Sequence, residues 1–280
     1  MPVFDTPEPI TATVDLVVGD IRVTASDRTD TVVDVRPSNP GAELDVRAAA
    51  ETRVELTDGR LLVKAPRQPV LGLFGKSGSV DVEILLPAGS HLHGDASAAA
   101  FRTAGRLGPC RVKTSAGDIY LESTGPLDAS SPGGALIAGS VAGNASVSAS
   151  GELHIDEIRG DAVLKNLNGH TRIGSVTGDL KARAANGDIV VGRAGAGVSA
   201  SSANGDVRIG EVTAGSVSIK TANGELEVGV PAGTAAYLDL NTTFGNVHNR
   251  LDATTAPGQG ERTVEVRART AYGDIIIRRP

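Results

Sequence analysis

Tryptophan is missing from all 280 residues, and four phenylalanines and three tyrosines are the only aromatics. Cysteine and methionine occur once each. Each shortage excludes something. A single cysteine, Cys110, cannot form an intramolecular disulfide, which fits a reducing compartment. Scarce aromatics remove the platforms on which single-stranded nucleic acid stacks. No apolar run reaches the ~18 residues that a membrane-crossing helix needs. Basic excess is also lacking. Lys and Arg total 27 against 33 Asp and Glu, a formal charge of −6 with the signs interspersed. That balance argues against nucleic acid as a partner, since phosphate binding needs a basic face. Met1-Pro2-Val3-Phe4-Asp5 has neither the basic nor the apolar region of a signal peptide, so a cytoplasmic location is expected.

What is abundant is glycine, at 35 residues. With 14 prolines and no three-residue period the chain is not a collagen, and 40% hydrophobic residues exclude a disordered acidic chain. The glycine belongs to a repeat. A small residue or Asn, then Gly, an acid, an aliphatic, a variable and an aliphatic residue recur as Ala116-Gly117-Asp118-Ile119-Tyr120-Leu121 and Ser150-Gly151-Glu152-Leu153-His154-Ile155. Asn186, Asn204 and Asn223 open three further copies, and Gly273 centres a late one. Central glycines fall at 117, 134, 151, 169, 187, 205 and 224, every 17 to 19 residues. Before each glycine, alternate positions are small or apolar, as in Val217, Ile219 and Thr221. After it, the second and fourth positions are aliphatic, as in Val207 and Ile209. Period-two alternation marks two half-buried strands per repeat.

Two strands per ~18 residues in constant register predict stacked coils rather than a sandwich of hairpins. The expected fold is all-β: a single-stranded parallel β-helix, or β-solenoid. Residues 1–93 read as a looser β-rich N-terminal cap continuous with the solenoid, 94–249 as regular coils, and 250–280 as a loop plus a terminal capping coil. One structural unit is expected, because a single coil buries too little to stand alone. Columns of Val and Ile pack flush where a Trp finds no room. Asn-Gly supplies the tight corner, and stacked Asn168, Asn186, Asn204 and Asn223 are placed to bond one another's amides.

These glycine-acid-aliphatic units follow a looser β-rich third and a Leu86-Pro87-Ala88-Gly89-Ser90 step. Together they resemble the DUF4097 family of β-strand-repeat proteins, from about Ala12 to Arg279. The resemblance implies a β-solenoid without established catalytic activity, carrying an adhesin label.

The residues offer little chemistry. Asp118, Glu152, Asp188, Asp206 and Glu225 form one acid column, with Asp274 beyond. Stacked carboxylates raise the thought of calcium, but the column is interrupted at Ala135 and His170, and turn acids bonding nearby amides are the preferred reading. His91 and His93 share a strand face without the further ligands zinc requires. Cys110 occupies an inward column, as a small core hydrophobe does. No catalytic, cofactor or metal residues are therefore assigned. Leu71, Leu73 and Phe74, with Lys76, form an apolar loop cluster that either docks a partner or folds over the cap. Outward Lys181, Arg183, Val190, Arg208, Lys220 and Glu227 are expected to make flat recognition faces. The function expected is a non-enzymatic, adhesin-like scaffold or binding surface, its partner another protein. Two alternatives stand beside it: a self-assembling scaffold like the bactofilins, and a carbohydrate-active β-helix enzyme.

Overall fold

The computed structural model describes residues 1–66, 77–251 and 262–280. They form two compact units, Met1–Ser140 and Val141–Pro280, each built almost wholly of strands. Each unit adopts the parallel β-solenoid expected from the repeat.

In the second unit every coil contributes one strand to each of two parallel ladders. The first ladder contains Ala145–Ala149, Ala162–Asn168, Leu180–Asn186, Val198–Ser201 and Gly215–Asn223. The second contains Leu153–Ile158, Thr171–Val176, Ile189–Ala194, Val207–Val212 and Leu226–Gly229. Identical repeat positions face each other, with Leu180 beside Val198 and Val198 beside Val217 in one ladder. In the other, Ile189, Val207 and Leu226 are aligned. These inward side chains are buried, and each is worth roughly 1.5–3 kcal/mol relative to exposure.

The corners need glycine for two reasons. Gly205 has φ +144°, and a Cβ there would lie 2.3 Å from the carbonyl oxygen of Gly187 in the neighbouring coil. Those carbonyls also explain the polar residue three positions before the glycine. Ser202 donates to Gly187 O at 3.0 Å, Thr221 to Gly205 O at 2.9 Å and Thr270 to Gly224 O at 3.1 Å. A hydroxyl column thus satisfies buried backbone that Val would leave unpaired.

Spatial order departs from chain order at the C-terminal coil. Arg262–Tyr272 pairs with Gly215–Asn223 on one edge and with Thr234–Phe244 on the other. Ile275–Arg278 is likewise flanked by Leu226–Gly229 and Val247–Asn249. The last coil in sequence is therefore inserted, not terminal, which corrects the capping coil expected over 250–280. The core accounts for the exchange. Val266, Ala268, Ile275 and Ile277 are fully buried, whereas Val247 of the displaced coil is 45% exposed. The coil with the better inner columns takes the two-sided position. Arg278 and Arg279 work inside this stack: Arg278 pairs with Glu227, and Arg279 donates to the carbonyls of Val230 and Pro231.

The first unit has longer strands. Thr11–Ser26 and His91–Arg106 pair in parallel over most of their lengths. Antiparallel pairing enters through Val3–Asp5 with Asp30–Pro37, Asp30–Pro37 with Ser79–Pro87, and Arg53–Thr57 with Arg60–Lys64. A helix, Glu43–Glu51, interrupts the segment 1–93 that reads in sequence as a β-rich cap. Ala48, Ala49 and Ala50 favour it, Arg47 and Glu51 pair one turn apart, and Asp45 accepts the backbone amides of Asn39 and Ser79. Among the described residues Phe101 is the one fully buried aromatic of this core, admitted because Gly94 leaves it room.

Candidate functional site

Leu71, Leu73, Phe74 and Lys76 lie outside the described residues. The other expected positions are all placed. Cys110 is buried, and burial pushes its thiol up to about 12, so it carries no thiolate near neutral pH. His91 and His93 are exposed on one strand face, and no cluster of three or more metal-ligating side chains occurs among the described residues.

The acid column resolves into backbone chemistry. Asp118 accepts the amide of Ala135, Asp188 that of Asp206, Asp206 that of Glu225, and Asp274 that of Asn246, all at 2.8–2.9 Å. Each short carboxylate ties its corner to an adjacent coil. A second staircase, which the repeat motif did not reveal, runs along another corner. There Asn144 accepts from Asp161 N, Asp161 from Asp179 N, and Asp179 from Gly197 N. The amide ladder forms as expected, with Asn186 donating to Asn168, Asn204 to Asn186 and Asn223 to Asn204, each at 3.0 Å. Tyr272 succeeds Asn223 in register and stacks on Phe244 with centroids 4.9 Å apart.

With backbone needs met, the outward side chains of the second unit separate into two kinds of surface. On the second ladder and its margins the charges are paired. Arg208 reaches Asp206 at 3.0 Å and Glu225 and Glu227 at 3.6 Å, Arg193 reaches Glu211 at 3.0 Å, and Arg172 lies 3.9 Å from Glu152. The hydrogen bond from Arg159 holds the Glu157 carboxyl below its usual range.

On the first ladder they are not. Lys165, Lys181, Arg183 and Lys220 are exposed, and among the described residues none forms an ion pair or side-chain hydrogen bond. Lys165 stands directly opposite Arg183 in register. Like charges so placed oppose folding by roughly 0.2–1 kcal/mol. The column continues through Ser201 and Lys220 to Arg269, which Asp239 pairs at 3.4 Å. Beside it Val163, Lys181, Ser199, Ser218 and Arg267 are aligned, the last paired with Glu265 at 2.6 Å. A trough of about 580 Å³ crosses these coils, lined by Asp161, Asp179, Lys181, Ser199, Ser216 and Ser218 among others. A smaller hollow in the first unit, of about 320 Å³, holds balanced charge from Asp15, Asp95, Arg111 and Lys113 beside His93.

Among solved structures the chain is similar to a "putative lipid binding protein" from Parabacteroides distasonis (12% identity, 100% of this chain and 95% of that one, TM-score 0.40). It is also similar to a "putative adhesin" from the same species (13%, 98% and 94%, TM-score 0.36) and to another from Parabacteroides merdae (13%, 100% and 95%, TM-score 0.35). No curated protein matches it. No helix among the described residues is long and apolar enough to cross a membrane. Residues 13–279, which take in nearly all of both units, match Toastrack DUF4097, and the chain belongs to that family.

Proposed function

We propose that the chain is a non-enzymatic, adhesin-like binding scaffold whose recognition surface is the cationic face of the first ladder in the second unit. One observation carries this reading. Lys165, Lys181, Arg183 and Lys220 stand unpaired at fixed lattice positions in a chain of net charge −6. Folding alone gives no reason to hold like charges opposite each other, whereas an anionic partner does. The scaffold is stiff because each coil is tied to its neighbours by backbone, carboxylate and amide ladders. Corner acids such as Asp118, Asp161 and Asp206 bond backbone amides, and His154, His170 and His248 pair with surface carboxylates. Retention on a sulfopropyl cation-exchange resin at pH 7 tests the reading. The full chain should be retained despite its net charge, and the combined change Lys165→Gln, Arg183→Gln and Lys220→Gln should release it. Flow-through of the unaltered chain would sink the proposal.

A second reading, self-assembly, is favoured by one feature. Among the described residues Thr234–Phe244 is paired along one edge only and exposes Tyr237 and Phe244, at 71% and 61%. Such an edge is a template for another strand. Sedimentation velocity separates the readings: the binding scaffold predicts discrete species, and concentration-dependent polymers support the alternative.

A further inference from the structure

Resting on the reading of this face as the recognition surface, we infer that it binds a linear acidic polysaccharide, laid across the coils. Three features select that chemistry together. Cations recur down one column, Lys165, Arg183, Lys220 and the Asp239-paired Arg269, on a lattice whose rungs are ~4.8 Å apart, with Ser201 on the rung between Arg183 and Lys220. A polymer bearing a carboxylate on each sugar supplies an anion at short intervals, so it meets the cations on both sides of the Ser201 rung. The parallel trough offers hydroxyls from Ser199, Ser216 and Ser218. It also holds the carboxylates of Asp161 and Asp179, each of which spends one oxygen on a backbone amide at 2.9 Å and keeps the second to accept from a ligand.

Those two carboxylates decide between ligand classes. A sugar presents hydroxyl donors to them while its own carboxylate lies over the cation column. A DNA backbone has phosphate oxygens and no hydroxyl donor for Asp161 and Asp179, and the outward positions of Ala162–Asn223 supply no Phe, Tyr or Trp ring on which the bases of either nucleic acid could stack. A lipid headgroup plane rests on a flat face and leaves the trough unfilled. Acidic polysaccharides of this kind are met outside the cell, so the inference sets aside the cytoplasmic location expected from the N-terminal residues.

The test is calorimetric titration of the full chain with sodium polygalacturonate. Dextran serves as the neutral control, with phosphatidylglycerol vesicles and a single-stranded oligodeoxynucleotide as competing anions. Polygalacturonate should bind and dextran should not. The combined Lys165→Gln, Arg183→Gln and Lys220→Gln variant should lose about tenfold or more in affinity, while Arg172→Gln with Arg208→Gln on the other ladder changes it less than about twofold. Asp179→Asn is the sharper probe. It removes a negative charge, so attraction by charge alone predicts tighter binding, whereas loss of a hydroxyl acceptor predicts weaker binding to polygalacturonate. Circular dichroism melts of each variant establish that it folds. Absent binding to polygalacturonate, tighter binding by Asp179→Asn, preference for vesicles or oligonucleotide, or a chain confined to the cytoplasmic fraction would each overturn the inference. If resin retention is lost in the triple variant while polygalacturonate fails to bind, the recognition face stands and only the ligand class is wrong.

Discussion

The two ladders of the second unit share a backbone plan, a repeat and an inward composition, yet they treat charge in opposite ways. On the second ladder Arg208 is surrounded by Asp206, Glu225 and Glu227. On the first, Lys165 and Arg183 face each other with no acid between them. Both surfaces are solvated, so both arrangements are cheap. An exposed pair is worth about 0–1 kcal/mol and an exposed repulsion costs as little. The difference therefore says little about how the coil folds and much about what each face is kept for.

Alternate residues of both ladders face opposite ways, and the most severe test strikes that alternation. Ile209 is buried, and its neighbour Arg208 points out. Ile209→Asp should unfold the protein cooperatively, at a loss above about 4 kcal/mol from a buried, unpaired carboxylate. A thermal denaturation curve like that of the parent chain would mean that the assigned register is wrong. Next in size is the corner that both ladders share. Gly205→Ala meets the Gly187 carbonyl and a left-handed backbone at once, and about 3 kcal/mol of stability should be lost. Gly233, with φ +70° and nothing within 4 Å, isolates the backbone part, so Gly233→Ala should cost only about 1 kcal/mol. Urea midpoints that rank the two alike would remove the carbonyl contact from the argument.

Much of this was legible in the residues. Spacing at 17 to 19 residues defined the coils, Asn-Gly placed the corners, and alternation named Lys181, Arg183, Lys220 and Arg208 as outward. Three things were hidden, each for a physical reason. Helix Glu43–Glu51 was obscured because its alanines also satisfy a strand's alternation. The insertion of Arg262–Tyr272 between earlier coils is a long-range choice, decided by which inner column fits on two sides rather than by any local signal. Charge segregation escaped because lysines and acids interspersed along the chain are dealt to different faces. Asp206 and Arg208 are two residues apart and pair, while Lys165 and Arg183 are a full coil apart and adjacent. The hidden signal was present in the register: aligning coils by their glycines stacks Lys165 on Arg183.

Between the faces runs the amide ladder, whose contribution should be intermediate. Asn204→Ala removes the bonds to Asn186 and Asn223 and should cost about 1 kcal/mol, without changing retention on a cation exchanger. A loss no larger than for an exposed serine such as Ser199 would show the ladder to be ornamental.

The smallest effect bears most directly on the contrast between the ladders, because it concerns sign rather than size. Arg208→Gln gives up three acidic neighbours and should lower stability by about 0.5 kcal/mol. Arg183→Gln relieves a like-charge contact and should leave stability unchanged or raise it by up to about 0.5 kcal/mol. Both shifts should shrink in 1 M salt, where charges a few ångströms apart are screened. Matched urea titrations of the two variants at low and high salt measure this directly. If Arg183→Gln destabilises as much as Arg208→Gln at low salt, Arg183 has a partner in solution and the face is not held unpaired. If the signs differ and converge with salt, the cations of the first ladder are maintained against the interest of the fold, and their purpose lies in what they meet.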